Sequence, residues 1–372
     1  MIRGKIVIDE RTKNLVKKIK ANQIAIIDHQ DIDQVASKSL IEKRVKAVIN
    51  LSPSISGKYP NCGPSLLLKA QIPLIDIESG IDLISSMLEN GDIITISNGK
   101  ISQNGQVIAQ GREILKAEVE RKIKESRENI ESELSKFIDN TLNFARKEKN
   151  LIVDLTAPDI GIDFKGKHVL IVVRGMDYKD DLQAIKSYIF EMNPIIIAVD
   201  GGADACLEFG YKPDIIIGDM DSVSDFALTK TKKIIVHAYS NGKAPGLERI
   251  KLLGLDYILY PAPGTSEDIA MILAYDKGAE LITAVGTHSN MIDFLEKGRK
   301  GMASTLLVRL KLGNKLIDAK GVSKLYQNKI HYRYWVQVLV SIFIPLLFIT
   351  LFSPPIKQIL QLLALKVSLF FQ

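Results

Sequence analysis

The sequence predicts a mixed α/β protein. It has a small N-terminal α/β domain, a long linking helix, a doubly wound parallel-sheet domain and a C-terminal transmembrane helix. Three observations carry this. Short apolar runs bounded by Gly, Pro and Asn-Gly punctuation alternate with helical patterns through both halves of the chain. A highly charged stretch without Gly or Pro separates those halves. An uncharged apolar run closes the sequence.

Residues 1–111 form the first domain. IAIID (24–28), VKAVIN (45–50), IPLIDI (72–77) and DIITIS (92–97) read as strands. DQVASKSLIEK and GPSLLLKAQ read as helices, with Asp31 or Asp33 and Asn61 near their starts. Asn98-Gly99 and Asn104-Gly105 are turn dipeptides that predict a small hairpin region ending at Gly111. The loop from Ser52 to Pro64, rich in Ser and Gly after a strand, suits either a small anion or an ordinary surface connection.

Residues 112–149 place Leu115, Val119, Ile123, Ile130, Leu134, Phe137 and Ile138 on one stripe of a long helix. A strict heptad is not sustained, so a dimerisation arm and a helix packed on its own domains both fit. A second copy of the chain is therefore one candidate partner.

Residues 150–325 hold the nearly continuous apolar runs HVLIVV (168–173), PIIIAVD (194–200), PDIIIGD (213–219), KIIVHA (233–238) and ELITAVG (280–286). Such runs mark a parallel sheet covered on both faces, whose ligands sit beyond the carboxyl ends of the strands. The polar motifs fall there: Arg174-Gly175 with Asp177, Asp200-Gly201-Gly202, Gly218-Asp219 with Asp221, and Gly286-Thr287-His288. Arg174, Gly175 and Asp177, with Lys179 and Asp180, suit a phosphate clamp or a solvated turn. His288 suits a ligand contact or a structural hydrogen bond. Arg299, Lys300 and Arg309 suit phosphate, acidic lipid or plain solvation.

Residues 326–353 comprise a juxtamembrane segment and the run Trp335–Phe352, eighteen residues without a formal charge. As a helix it would span roughly 27 Å, close to a ~30 Å hydrocarbon core. Tyr332, Tyr334 and Trp335 sit at its N-terminal edge, and Pro345 is tolerable in such a span. Lys320, Lys324, Lys329 and Arg333 precede it, while Lys357 and Lys366 follow. The positive-inside bias then places the soluble domains in the cytoplasm. Residues 354–372 form an apolar tail suited to an interface or a returning hairpin.

Composition excludes other classes. The chain has 372 residues, with 49 Lys+Arg against 43 Asp+Glu and a formal charge of +6. That excess is too small and dispersed to indicate nucleic acid. Cys62 and Cys206 lie far apart and the five histidines are scattered, which argues against a disulfide framework and a Cys- or His-based metal site. The N-terminus MIRGKIVIDERTK has no apolar signal region.

The segment VDGGADACLEFGYKPDIIIGDMDSVSD (199–225) resembles the nucleotide-binding core of the thiamin pyrophosphokinase family, with its DGGA turn and its G-D-x-D-S turn. The resemblance implies Mg²⁺ held by Asp219 and Asp221, two apart at a strand end. It also implies ATP or a similar nucleotide against Gly201 and Gly202, with Asp200, Asp204 and Ser222 beside it. The phosphate- or ribose-side set extends to Arg174, Gly175, Asp177, Thr265, Asp268, Gly286, Thr287 and His288. Departures follow. The family's D-x-T-D element reads Pro263, Gly264, Thr265 and Ser266 here, with Glu267 and Asp268 after it, and its G-G-R-x-D-H turn reads GTHSNM. After Leu312 little chain remains to complete a thiamin pocket, which argues against thiamin as substrate.

The closing pattern of the first domain, GDIITISNGKISQNGQVIAQG after AQIPLID, is also weakly similar to the swivelling phosphohistidine domains. No His occurs between Asp31 and His168, so phosphotransfer is not implied. Across residues 1–345 the chain resembles the SteA-type cytokinetic ring proteins. The carrying stretches are DERTKNLVKKI (9–19), IAIIDHQDID (24–33), INLSPSISGKYPNCGP (49–64), RGMDYKDDL (174–182), APGTSEDIAMILA (262–274), GTHSNMIDFLEKGRKGMASTLLVRLKLG (286–313) and DAKGV (318–322). That resemblance implies a bacterial inner-membrane protein of division and envelope work, with a membrane-anchored partner. Two functions remain open: a nucleotide-binding membrane regulator, or a Mg-dependent pyrophosphokinase acting on an unidentified hydroxyl compound. The missing carboxylates favour the first.

Overall fold

The computed structural model describes residues 1–239, 241–325 and 332–370. It divides into two units, Met1–Ser323 and Lys324–Gln372.

The first unit begins with a β/α run: β1 (Ile2–Ile8), α1 (Thr12–Lys18), β2 (Ile24–Ile27), α2 (Gln34–Glu42), β3 (Ala47–Asn50), α3 (Gly63–Lys69) and β4 (Leu74–Ser79). Then come α4 (Ile81–Met87), β5 (Ile93–Ser97), β6 (Lys100–Gln103) and β7 (Gln106–Glu113). The seven strands close into a barrel in the order β1-β2-β3-β4-β7-β6-β5. The first four are parallel, and antiparallel pairing of β5 with β1 completes the ring. Alternation along each strand decides the faces. Ile24, Ile26, Ile49 and Ile94 belong to one core, and Ala25, Ile27 and Val48 pack instead with Leu15, Leu40 and Leu67 of the helices. The expected strands at 24–28, 45–50, 72–77 and 92–97 are present within a residue or two. Strand β1 was not expected, because Arg3, Gly4 and Lys5 interrupt IRGKIVI, Arg3 and Lys5 being exposed while Gly4 lies on the face of Ile24.

Two helices replace the single linking helix expected over 112–149. Strand β7 runs on to Glu113, α5 spans Lys116–Glu128 and α6 spans Ile130–Val153, with Asn129 between them at φ −88° and ψ −4°. The Asn129 N–H still bonds the Glu125 carbonyl, and that short side chain competes with the helix for backbone partners. Helix α6 packs on its own domain: Phe137 meets Phe294 with ring centroids 6.4 Å apart, and the Met302 N–H donates to Thr141 Oγ1.

The second domain continues with β8 (His168–Val172), α7 (Tyr178–Ala184), α8 (Lys186–Met192), β9 (Ile195–Val199), α9 (Gly202–Glu208), β10 (Ile215–Gly218), α10 (Asp225–Lys230), β11 (Lys233–Ala238), α11 (Leu247–Leu252) and β12 (Ile258–Pro261). It ends with α12 (Ser266–Asp276), β13 (Leu281–Val285), α13 (Met291–Glu296), α14 (Ala303–Leu312) and β14 (Leu316–Asp318). The strand order is β12-β11-β10-β9-β8-β13-β14, and every pairing is parallel. The chain winds one way from β8 to β12 and then returns to the other side of β8, so the switch point lies between β8 and β13. One face packs Val169, Ile171, Ile197 and Ile217 under α12 and α14, and the other packs Leu170, Val172, Ala198 and Ile216 under α7 to α11. The five expected strands are all here. The edge strands β12 and β14 are too short for a periodic signal.

In the second unit, α15 (Tyr332–Phe352) contains Pro345 and is followed by α16 (Pro354–Phe370). Among the described residues no single helix is long and apolar enough to cross a membrane. Val336–Ile349 and Pro354–Leu369 meet that measure only as a pair, bent by 93°. The expected span Trp335–Phe352 lies within α15 and the expected apolar tail forms α16, with Ser353-Pro354 at the break, where Pro removes a backbone donor. Lys329 lies outside the described residues, as do the side chains of Tyr332, Arg333, Tyr334 and Trp335.

Candidate functional site

A cavity of about 560 Å³ opens where the carboxyl ends of β8, β9 and β10 face helix α1 and the start of α2. The parallel-sheet wall carries Arg174, Asp200, Gly201, Asp219, Asp221, Ser222, Thr265 and His288. The barrel wall carries Arg11, Thr12, Lys13, His29 and Asp33.

Local backbone geometry builds the sheet wall. Asp200 and Met220, the residues just past β9 and inside the G-D-M-D turn, hold φ of +46° and +63°. Non-glycine residues seldom adopt this region, and such strain gathers at functional sites. The Asp200 carboxylate folds over the end of β10, accepting from the Met220 N–H at 3.1 Å. A Cβ on Gly218 would lie 1.9 Å from it, so any larger residue there would have to displace that carboxylate.

Three carboxylates therefore crowd one corner. Burial and then the neighbouring Asp219 raise Asp200, to about 8, and burial with Asp221 also raises Asp219. Burial would raise Asp221 as well, but hydrogen bonds from Lys13, Asp219 and Ser222 prevail and hold it at about 2. The cations come from the other domain. Arg11 Nη1 and Lys13 Nζ reach Asp221 Oδ2 at 2.9 and 2.7 Å, and Lys17 Nζ donates to the Ser222 carbonyl at 2.9 Å. Lys38 pairs with Asp177, and Lys179 with Glu42, across the same junction.

Among the described residues no group of three or more His, Cys, Asp or Glu side chains is disposed to hold a metal ion, and Asp221 is turned to two basic side chains. The Asp219–Asp221 pair expected at a metal lies at the cavity wall, with Asp221 facing Arg11 and Lys13 of the barrel.

Several residues expected at the ligand have other roles. A Cβ on Gly202 would lie 2.1 Å from the Val172 carbonyl oxygen, so this glycine lets α9 sit close on β8. Gly175 and Gly286 press backbone to backbone at the switch point, where a Gly175 Cβ would stand 2.0 Å from the Gly286 oxygen. Asp204 bonds the Ser224 N–H and hydroxyl at the start of α10, not a ribose. Thr287 donates to Asp318 Oδ1 at 3.2 Å. Asp268 is fully buried, closing a capping box with Thr265 and accepting from Ser304 and Thr305. Thr265 still borders the cavity through its position at the start of α12.

His288 lines the cavity with its Nδ1 2.6 Å from Glu267 Oε1. Lys297 lies 3.5 Å from the same oxygen. Burial would raise Glu267, but the charge and hydrogen bond of His288, with Lys297, hold it down at about 2. The loop from Ser52 to Pro64 is not an anion site. Ser54 bonds Asp76, and Ser56 bonds Asp31, so carboxylates already engage its hydroxyls and amides.

Sequence reasoning missed Arg11, Lys13, Lys17, His29, Glu267 and Glu296. Only the basic spacing in RTKNLVKK hinted at the first three, and their meaning depends on a domain contact more than two hundred residues away in sequence.

Comparison with known proteins agrees with the residue-level resemblance. Residues 187–242 match the family model of the thiamin pyrophosphokinase catalytic domain, and residues 320–371 match that of the SteA-like C-terminal domain. No curated protein matches the chain. Among solved structures, thiamine pyrophosphokinase from Bacillus subtilis is similar at 22% identity with a TM-score of 0.26. That match takes in 41% of this chain, and the chain spans only 60% of that structure's length.

Proposed function

We propose that this chain is a nucleotide-binding regulatory protein of bacterial cell division and envelope assembly, attached to the inner membrane through residues 332–370. One observation carries the nucleotide reading: the cavity beyond β8, β9 and β10 joins an arginine, an open glycine turn and an acidic turn at the place where doubly wound sheets bind ligands. The matches to the thiamin pyrophosphokinase catalytic domain and to the SteA-like C-terminal domain support the two halves of the proposal.

The groups around the cavity favour binding over catalysis. Asp268 caps a helix and holds two hydroxyls, Glu267 pairs with His288 and Lys297, and Asp221 pairs with Arg11 and Lys13. A diphosphate transfer would need such groups free to place a metal and to take the acceptor's proton. The alternative, a Mg-dependent pyrophosphokinase, moves diphosphate from ATP to a hydroxyl compound and releases AMP. Full-length protein in detergent, titrated with ATP in a calorimeter and assayed in parallel for AMP with Mg²⁺, separates the two. Binding without AMP supports the regulator, AMP release supports the enzyme, and no binding overturns both.

The membrane reading rests on the apolar bent pair Val336–Ile349 and Pro354–Leu369. The Lys residues before it favour the α/β domains on the cytoplasmic side, by the positive-inside bias. Full-length protein should resist extraction from membranes by high salt. Recovery in the aqueous fraction without detergent would overturn the attachment.

A further inference from the structure

We propose that helix α1 of the barrel domain completes the nucleotide site: Arg11, Lys13 and Lys17 form, with Arg174 of the parallel-sheet domain, a clamp for a nucleoside di- or triphosphate. This rests on the nucleotide reading above and adds to it residues that the matched catalytic-domain segment, 187–242, does not contain.

The argument begins with position. The sheet wall presents Gly201 as its open turn, since the nearest atom to a Cβ built there is Arg174 Cδ at 3.4 Å. The next neighbour is the Ser222 carbonyl at 3.7 Å, and Lys17 Nζ donates to that same oxygen at 2.9 Å. One carbonyl therefore borders both the glycine turn and a cation of the opposite domain. Arg11 and Lys13 lie beside it on Asp221 Oδ2.

Charge points the same way. Burial lowers the Lys17 pKa, and Arg249, Arg174 and Lys13 lower it further against the opposing pull of Asp204. Like charges gathered at the edge of a cavity favour an anion between them, and phosphate oxygens supply several acceptors at once. Arg11 and Lys13 keep 61% and 40% of their side chains exposed, so both have room to turn from Asp221 to a phosphate. Such a ligand would touch both domains and hold them together.

The test uses full-length protein in detergent, with ATP and inorganic pyrophosphate as probes in isothermal titration, with and without Mg²⁺. The double variant Arg11→Gln/Lys13→Gln should lose at least tenfold in affinity for both probes, Lys13→Arg should bind within threefold of the wild type, and wild-type affinity should fall steeply with salt. Unchanged affinity in the double variant overturns the clamp and leaves the nucleotide reading intact. Tighter binding also overturns it, because the cations would then be blocking the site. Failure of the wild type to bind ATP at all overturns the nucleotide reading and the clamp together. Matching thermal unfolding of the variants and the wild type ties a loss of affinity to charge and not to misfolding.

Discussion

Exchanging two adjacent glycines for alanine should give opposite outcomes. A Cβ at Gly202 would lie 2.1 Å from the Val172 oxygen and 3.0 Å from its carbon. Both are backbone atoms of a central strand, so no side chain can yield, and α9 must lift from β8 by about an ångström. That movement also loosens Ala203 and Cys206, the fully buried residues on α9's inner face. Overpacking costs about 1–3 kcal/mol where side chains can adjust, and a rigid strand places Gly202→Ala at the upper end, about 3 kcal/mol. At Gly201 the nearest atom is 3.4 Å away and the backbone is at φ −61°. Gly201→Ala should cost about 1 kcal/mol or less, mainly because Ala caps a helix less well than Gly. Its methyl group would project beside Arg174 and Ser222, and ATP affinity should fall several-fold. Urea unfolding followed by circular dichroism, with calorimetric titration of the folded variants, reads both effects. If Gly202→Ala unfolds with wild-type stability, the apposition of α9 and β8 is wrong; if Gly201→Ala leaves ATP affinity unchanged, Gly201 does not face the ligand.

Other outcomes follow from the buried acids. Burial, then Asp33 and Asp293, raise Glu296 to about 8 against the pull of Lys320, and its Oε1 has no partner. A raised folded-state pKa means that its contribution is complete below the unfolded value of about 4.3 and is lost as pH rises through about 8. Wild-type Tm should therefore drop between about pH 4.3 and 8, and Glu296→Gln should flatten that drop; parallel curves would remove Glu296 as its source. Glu267 has the opposite sign: stability from its pair with His288 is present above about pH 4.3 and fades as pH falls toward 2. Glu267→Gln should cost about 3 kcal/mol at pH 7, as expected when one partner of a buried pair is removed, and a change under 0.5 kcal/mol in urea unfolding would contradict it. Asp268→Ala strands the Thr265 N–H and the Ser304 and Thr305 hydroxyls. A loss of at least about 2 kcal/mol should appear in the same assay.

The sheet was legible because its strands are fully buried and its side chains leave no doubt about period or length. HVLIVV and PDIIIGD carry that information locally. The acidic and glycine turns at their ends were legible for the same reason, since they follow strands whose direction is known. Helix α1 was not. Its lysines look like a solvated face until the barrel closes and presents them to Asp221. Glycines mislead in a related way. Gly201 and Gly202 read alike in sequence, but one faces the cavity and the other a carbonyl. The break at Asn129 was hidden because the apolar stripe continues across it while the backbone does not.

The division of labour between the two domains explains why an acidic turn persists where the surrounding acids have other partners. A D-x-D-S turn alone is a dense negative charge at a strand end, and burial and then the neighbouring Asp219 raise Asp200. The barrel supplies the compensation through Arg11 and Lys13, so the turn also works as a docking point between domains. Any ligand that engages Asp219 or Asp221, or draws those cations onto its phosphates, must alter the same contacts that hold the barrel against the sheet. Site and interface thus share atoms. Were nucleotide to bind there as proposed, occupancy and domain contact would be linked, the property a reporting site needs.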